Sequence, residues 1–301
     1  MAVCLTLAGE ATYPSGKGLF SMTSSLSLPI AMKKLIILLL ILQFPWPAAC
    51  SPPTVGGKPQ KVKDVTRTKV ESIRVEPWVE GLEVPWSLIF LPDGRALVSE
   101  RPGRIRLIRD GKLQLEPYAT LDVATVGEGG LMGLAVHPEF LKQPFIYAMT
   151  TYRQGRDLHN RVVRLRDHGD SGTVERVILD DLPGAVVHDG DRIKFGLEGM
   201  LFITIGEQFH RERAQDIHNL AGKILRVTPE GKVPPDNPFG NPIWSYGNRN
   251  PEGLAWDPAT QALFSSEHGP TGEFGLFAND EINVIVKGGN YGGRWWSAPQ
   301  G

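Results

Sequence analysis

The sequence predicts an all-β protein of the propeller class, and three observations carry that prediction. Gly and Pro are abundant, at 34 and 24 residues in a chain of 301. They fall between short apolar runs, the pattern of strands joined by turns and not of helices. One unit then recurs: a strand, a tight turn, a second strand, a loop and a third strand. Its turns lie about 45 to 60 residues apart, and self-similarity at that period is the mark of propeller blades. One blade cannot bury both its faces, so blades stack and their innermost strands line a central channel. A row of separate β-sandwiches explains the spacing less well.

The N-terminal residues stand outside this pattern. Residues 1–31 read as an over-extended start, with Met32 as the true first residue. Over 32–50, Met32-Lys-Lys34 precedes the apolar run Leu35–Leu42 and then Ala48-Ala-Cys50. Positive, apolar, then small residues is the order of a signal peptide, and the run is too short for a comfortable transmembrane helix. Ala48-Ala-Cys50 resembles a lipoprotein signal in which Cys50 is lipidated. Pro47 departs from that pattern, and ordinary cleavage near Ala49 is the other reading. Cys4 and Cys50 are the only cysteines, so the folded region has no internal disulfide and no thiolate metal site. Residues 51–75 carry prolines and a Lys/Arg bias and read as a flexible tether.

Residues 76–301 hold about four to five blades, with the propeller incomplete at its C-terminal end. The first repeat runs through Trp86–Phe90, the turn Pro92-Asp-Gly94, Ala96–Ser99 and Gly103–Ile108. The second runs through Leu131–Val136, Phe145–Met149 and Arg161–Leu165. The third uses Arg192–Phe195, Met200–Ile205 and Gly222–Val227. The fourth uses Gly253–Trp256, Ala262–Ser266 and Glu281–Val286. The formal net charge of -1 argues against nucleic acid as a partner.

Four stretches could carry chemistry. Trp244–Pro258 reads as one turn-strand unit bearing Arg249 and Asn250. Arg249 offers five fixed donors and a permanent charge, suited to a planar, oxygen-rich ligand; the alternative is a surface arginine capping a turn. His188 precedes a turn into an inner strand, which places it at the channel mouth. There it is either a general base or a histidine bonded to a loop carbonyl. Asp189 and Asp191 either bind a cation or form a solvated turn. Gly127–Gly133 lacks the Lys-Ser/Thr of a phosphate loop. Its glycines suit close backbone approach, with Glu128 reaching into the channel. In Glu267-His-Gly-Pro270, the carbonyls of Gly269 and Pro270 are hard oxygen ligands of the kind calcium takes.

Several motifs occur together in one order. They are Val84-Pro-Trp-Ser87, Arg101-Pro-Gly-Arg-Ile105, Glu128–Phe140, Ala214-Gln-Asp216, Gly222–Arg226, Pro234–Phe239, Tyr246–Pro251, Glu267–Pro270, Asp280–Asn283 and Gly288–Gly292. This set resembles the soluble quinoprotein glucose/sorbosone dehydrogenase family, which includes periplasmic aldose sugar dehydrogenases. The resemblance implies a six-bladed propeller that holds pyrroloquinoline quinone and calcium over its channel. It implies that an aldose sugar is oxidised at its anomeric carbon to a lactone and that electrons pass to an external acceptor. His188 would be the base, and Arg249 and Asn250 would face the reactive quinone oxygens. Glu128 would touch the cofactor, and the Gly269 and Pro270 carbonyls would hold calcium. The protein would work on the periplasmic or cell-envelope side, touching the membrane only through a lipid anchor. A propeller that binds carbohydrate or protein without catalysis, an inactive truncated fragment, and a calcium-dependent hydrolase are the rival readings.

This chain departs from the family pattern at several positions. Asp191 replaces a usual Gly, Glu207 a usual Asp, Thr271 a common Arg and Glu128 a common Gln. The loop before Asp280 is about six residues longer than usual. The basic residues that grip the quinone carboxylates in the family come from last blades that this chain does not include.

Overall fold

The computed structural model describes residues 77–270 and 280–292. The expected over-extended start, the signal peptide with Cys50, the tether and Thr271 lie outside them. Among the described residues the chain forms four antiparallel sheets, each a meander in chain order. The first contains β1 (Pro85–Phe90), β2 (Ala96–Glu100), β3 (Arg104–Arg109) and β4 (Lys112–Leu113), with β5 (Ala119–Thr120) also paired to β3. The second contains β6 (Leu131–Val136), β7 (Phe145–Gln154), β8 (Asp157–Asp167) and β9 (Gly172–Pro183). The third contains β10 (Gly190–Phe195), β11 (Leu201–Ile205), β12 (Lys223–Val227) and β13 (Ile243–Tyr246). The fourth contains β14 (Pro251–Trp256), β15 (Leu263–Glu267) and β16 (Glu281–Ile285). One short helix, α1 (Arg211–Gln215), interrupts the β11–β12 connection.

The first strands of successive sheets are neighbours. β1 lies against β6, β6 against β10, and β10 against β14. That is the inner ring of a propeller, and these strands line an axial space of about 600 Å³. The core lies between blades. Leu97, Ile105 and Leu107 of the first blade meet Leu131, Ile146 and Leu165 of the second. Tyr147, Met149 and Val162 meet Ile193, Ile203 and Leu225 of the third. Phe202 and Ile224 meet Leu254, Leu263 and Ile285 of the fourth. Each fully buried side chain of this size contributes about 1.5–3 kcal/mol, so blade stacking supplies the cohesion that no single blade has.

The three-strand repeat undercounts the blade. Each of the first three sheets carries a fourth strand, and the reason is burial. β9 is mostly exposed, with only Ile178 and Leu182 buried, so it lacks the apolar run by which a strand is recognised. β13 is hidden inside Trp244–Pro258, which is not one unit. Its start, up to Tyr246, is the outer strand of the third blade. Its end, from Pro251, is the inner strand of the fourth. Arg249 and Asn250 therefore sit on the crossing from one blade to the next.

Candidate active site

That crossing explains the site. Each inner strand begins at the same end of the channel. Glu128 stands just ahead of β6, His188 just ahead of β10, and Arg249 and Asn250 just ahead of β14. β11 and β15 run antiparallel to β10 and β14, so they finish at that same mouth and deliver Glu207 and the Glu267–Pro270 turn. Five stretches separated in sequence converge because the blade repeat places equivalent ends together.

His188 is held in a strained turn. It has φ of 57°, and Asp191 follows with 64°. Left-handed backbone at non-glycine residues costs about 1–3 kcal/mol each and persists only where surrounding contacts fix it. Here the carboxylate of Glu128 accepts the His188 N–H at 2.7 Å, and Oδ1 of Asn250 accepts the Gly190 N–H at 3.0 Å. The turn also packs on Gly206, where a Cβ would lie 1.8 Å from the His188 carbonyl oxygen. The glycine-rich stretch behaves as expected: a Cβ at Gly127 would lie 1.8 Å from the Val186 carbonyl oxygen.

Nδ1 of His188 stands 3.3 Å from Oε1 of Glu207, within charge-pairing range though off the line of a hydrogen bond. Both side chains are almost fully buried. Phe209 stacks on the imidazole, with ring centroids 4.3 Å apart and planes 26° from parallel. A carboxylate behind Nδ1 favours the tautomer that leaves Nε2 as the proton-accepting nitrogen.

Arg249 is 8% exposed, which removes the surface-capping alternative. Its Nη1 donates to the carbonyl oxygens of His268 at 2.7 Å and Gly269 at 3.1 Å. The turn beneath is braced at both ends. Glu267 accepts from the Arg249 N–H and, at 3.0 Å, from Nδ2 of Asn248. Asp280 accepts the Gly269 N–H at 2.9 Å and lies 3.1 Å from Nδ1 of His268. Burial pushes the Glu267 carboxyl up to about 7. The Gly269 carbonyl is thus already turned toward a positive charge, and Pro270 is buried next to it. Asn250 spends its amide on the Gly190 N–H and on Glu252, at 2.9 Å from its Nδ2.

Asp189 and Asp191 do not form a solvated turn. They are 1% and 0% exposed, and Nδ2 of Asn160 reaches both, at 3.4 and 2.9 Å. The second oxygen of each carboxyl has no hydrogen-bond partner. Burial pushes Asp189 up to about 7 and Asp191 well above the usual carboxylate range. A cavity of about 130 Å³ lies between Glu128, Asp189, Arg101 and Trp86. Among the described residues, no three His, Cys, Asp or Glu side chains are grouped as metal ligands.

Sequence reasoning placed His188, Arg249, Asn250, Glu128 and Gly269 at one mouth, and the structure brings them together there. It did not pair Glu207 with His188, although Gly206-Glu207 ends a second strand at the mouth. Asn248 and Asp280 stood in the sequence only as members of the Tyr246–Pro251 and Asp280–Asn283 motifs, without a site role, and Phe209 carried no signal.

Fold and mouth define a propeller in which a carboxylate-backed histidine and the Arg249-capped Gly269 turn lie on neighbouring blades, joined where the Glu207 N–H donates to the Arg249 carbonyl at 2.8 Å. The chain belongs to the glucose/sorbosone dehydrogenase family, whose model matches residues 82–300. It is similar to an aldose sugar dehydrogenase of Escherichia coli, with 36% identity over 73% of this chain and 62% of that one. A solved glucose dehydrogenase candidate from Thermus thermophilus shares 53% identity and superposes with a TM-score of 0.71, covering 76% of this chain and 70% of that one. The quinone-bound aldose sugar dehydrogenase of Streptomyces coelicolor shares 37% identity, with a TM-score of 0.64 over 76% of this chain and 65% of that one. The chain spans less than two thirds of the length of the curated relatives it matches, 63%, 62% and 53%.

Proposed function

We propose that the protein oxidises aldose sugars at the anomeric carbon to lactones, using pyrroloquinoline quinone and calcium and passing electrons to an external acceptor. The carrying observation is the buried His188–Glu207 pair, 3.3 Å apart, beside Arg249, whose carbonyl accepts the Glu207 N–H at 2.8 Å, at the mouth that also holds the Gly269 turn. The residues fit the two groups. Carbonyls that already accept a guanidinium suit a hard dication. Buried polar atoms without partners, on Glu207 and Asn248, suit a mouth made for polar ligands.

Bound there, the quinone supplies a two-electron acceptor and calcium a Lewis acid that polarises it. The protein's residues do the rest. The Gly269 and Pro270 carbonyls hold the metal. Arg249 and Asn250 would help to hold the quinone, and the Arg249 charge would favour an electron-rich ligand there. Glu128 fixes the backbone of the base turn and borders the ligand. Nε2 of His188 would take the proton of the anomeric hydroxyl, the two electrons of the oxidation being those the quinone would accept. Glu207 stabilises the imidazolium so formed. The segment 32–50, with Cys50 as lipid attachment, would place this chemistry on the cell-envelope side.

The test is a titration of the chain with pyrroloquinoline quinone and calcium, followed by cofactor absorbance and then by dye reduction on adding aldoses. The expected result is calcium-dependent uptake and sugar-dependent reduction, lowered at least about 10²-fold in His188→Ala with uptake retained. Absence of quinone uptake in the presence of calcium would refute the proposal.

A further inference from the structure

We propose that Arg249 is a tethered counter-cation of the calcium site. It occupies the Gly269 carbonyl until a metal takes that oxygen, so metal loading displaces its guanidinium from that oxygen. The inference deepens the calcium assignment above and rests on it. Two observations on opposite sides of the turn carry it. Nη1 of Arg249 donates to His268 and Gly269 carbonyl oxygens at 2.7 and 3.1 Å. These are neighbouring main-chain oxygens on one turn, and Gly269 is a proposed metal ligand. The turn is held in place independently of that guanidinium. Asp280 accepts the Gly269 N–H, the Asn250 carbonyl accepts the His268 N–H at 3.0 Å, and Glu267 is held by the Asn248 side chain and the Arg249 backbone. The carbonyls would keep their direction if the arginine side chain left.

One carbonyl oxygen serves a dication and a guanidinium poorly at once, because the two charges repel in a site of low dielectric. The guanidinium must therefore withdraw from Gly269 as a metal is bound. Arg249 sits at the start of β14 on the blade crossing, and its long stem lets the head move without the backbone. The coupling is reciprocal: whatever the arginine gains from the carbonyls in the metal-free protein is subtracted from calcium affinity.

This gives a test whose sign separates competition from support. Calcium binding is measured by titration calorimetry on the full chain without quinone, for the wild type, Arg249→Met and Arg249→Lys. Competition predicts tighter binding in Arg249→Met by about tenfold. Arg249→Lys, still a cation, should fall between it and the wild type. Weaker or unchanged binding in Arg249→Met, with circular dichroism and melting temperature preserved, overturns the proposal and makes the arginine a support of the turn. On the wild type, the Arg249 side-chain N–H signal, assigned by its loss in Arg249→Lys, should shift as calcium is added. A signal that stays still while calcium binds also overturns it. If neither the wild type nor either variant binds calcium at millimolar concentration, the calcium assignment itself falls and takes this inference with it.

Discussion

At the scale of single residues, the mouth is organised around His188, and Glu207 decides what that histidine can do. The carboxylate lies on the Nδ1 side, so in the proposed reaction it would act through the imidazole as a positioning residue. Glu207→Gln keeps the shape and removes the charge. The expected outcome is a kcat lower by about 10- to 100-fold with KM nearly unchanged, because the lost interaction strengthens only as the imidazolium forms. Glu207→Asp keeps the charge on a side chain one methylene shorter and should retain most of the rate. Steady-state kinetics on one aldose checks both. An equal rise in KM in the two variants would instead mark Glu207 as a structural prop. Sequence alone placed His188 correctly because strand ends are legible. It missed the pairing because the two lie at opposite ends of the β10–β11 hairpin, and only that hairpin brings them together.

At the scale of elements, the blade repeat was legible and its outer strands were not. Central strands are buried and read as apolar runs; all five residues of β2, β11 and β12 are buried. β9 faces outward and carries no such run. β13 was concealed because aromatic and proline residues run on through Trp244–Pro258 without a visible break. The connection from β11 to β12 shows in the sequence only as the Ala214-Gln-Asp216 motif and the Glu207 departure, and its fold, which carries Glu207 and Phe209, was not legible. Its anchor is Lys223, which is fully buried and donates from Nζ to the carbonyls of Arg213, Ala214 and Ala221, at 2.8, 3.0 and 2.6 Å. The ammonium thereby collects carbonyls at the end of α1, where a positive charge is favoured. Lys223→Met would leave three carbonyls without that donor. The expected loss is about 2–4 kcal/mol of stability, seen as a lower denaturant midpoint, together with weaker packing of Phe209 on His188. A variant with an unchanged midpoint would show that the loop is held by its other contacts.

At the scale of the whole molecule, the ligand mouth is a burden on the fold. Blades stack through apolar cores, yet Asp189 and Asp191 are buried where the second and third blades meet, with Asn160 as their shared donor. Glu128 adds a further negative charge nearby, and Ala185 gives Asp189 an N–H at 2.6 Å. Asp189 titrates at about 7 in the folded chain, against about 3.9 when unfolded. Between those values the folded state holds a proton that the unfolded state has released. The stabilisation is full below about pH 4 and is lost as pH rises through about 7. Asp191 shifts in the same direction. The blade-joining pair Arg95–Asp167, at 2.8 Å, works the opposite way. Arg95 and Tyr118 hold Asp167 below its usual range despite its burial, so that contribution is lost only at strongly acid pH. The ligand-free protein should therefore become more stable on acidification from pH 8 to 5 and less stable below about 4. Melting temperatures across that range should rise by about 2–4 °C for each kcal/mol recovered. Asp189→Asn should flatten the rise and melt higher than the wild type at pH 8. A wild type whose melting temperature falls steadily from pH 8 to 5 would mean that these carboxyls do not hold their protons, and that a bound cation compensates them instead.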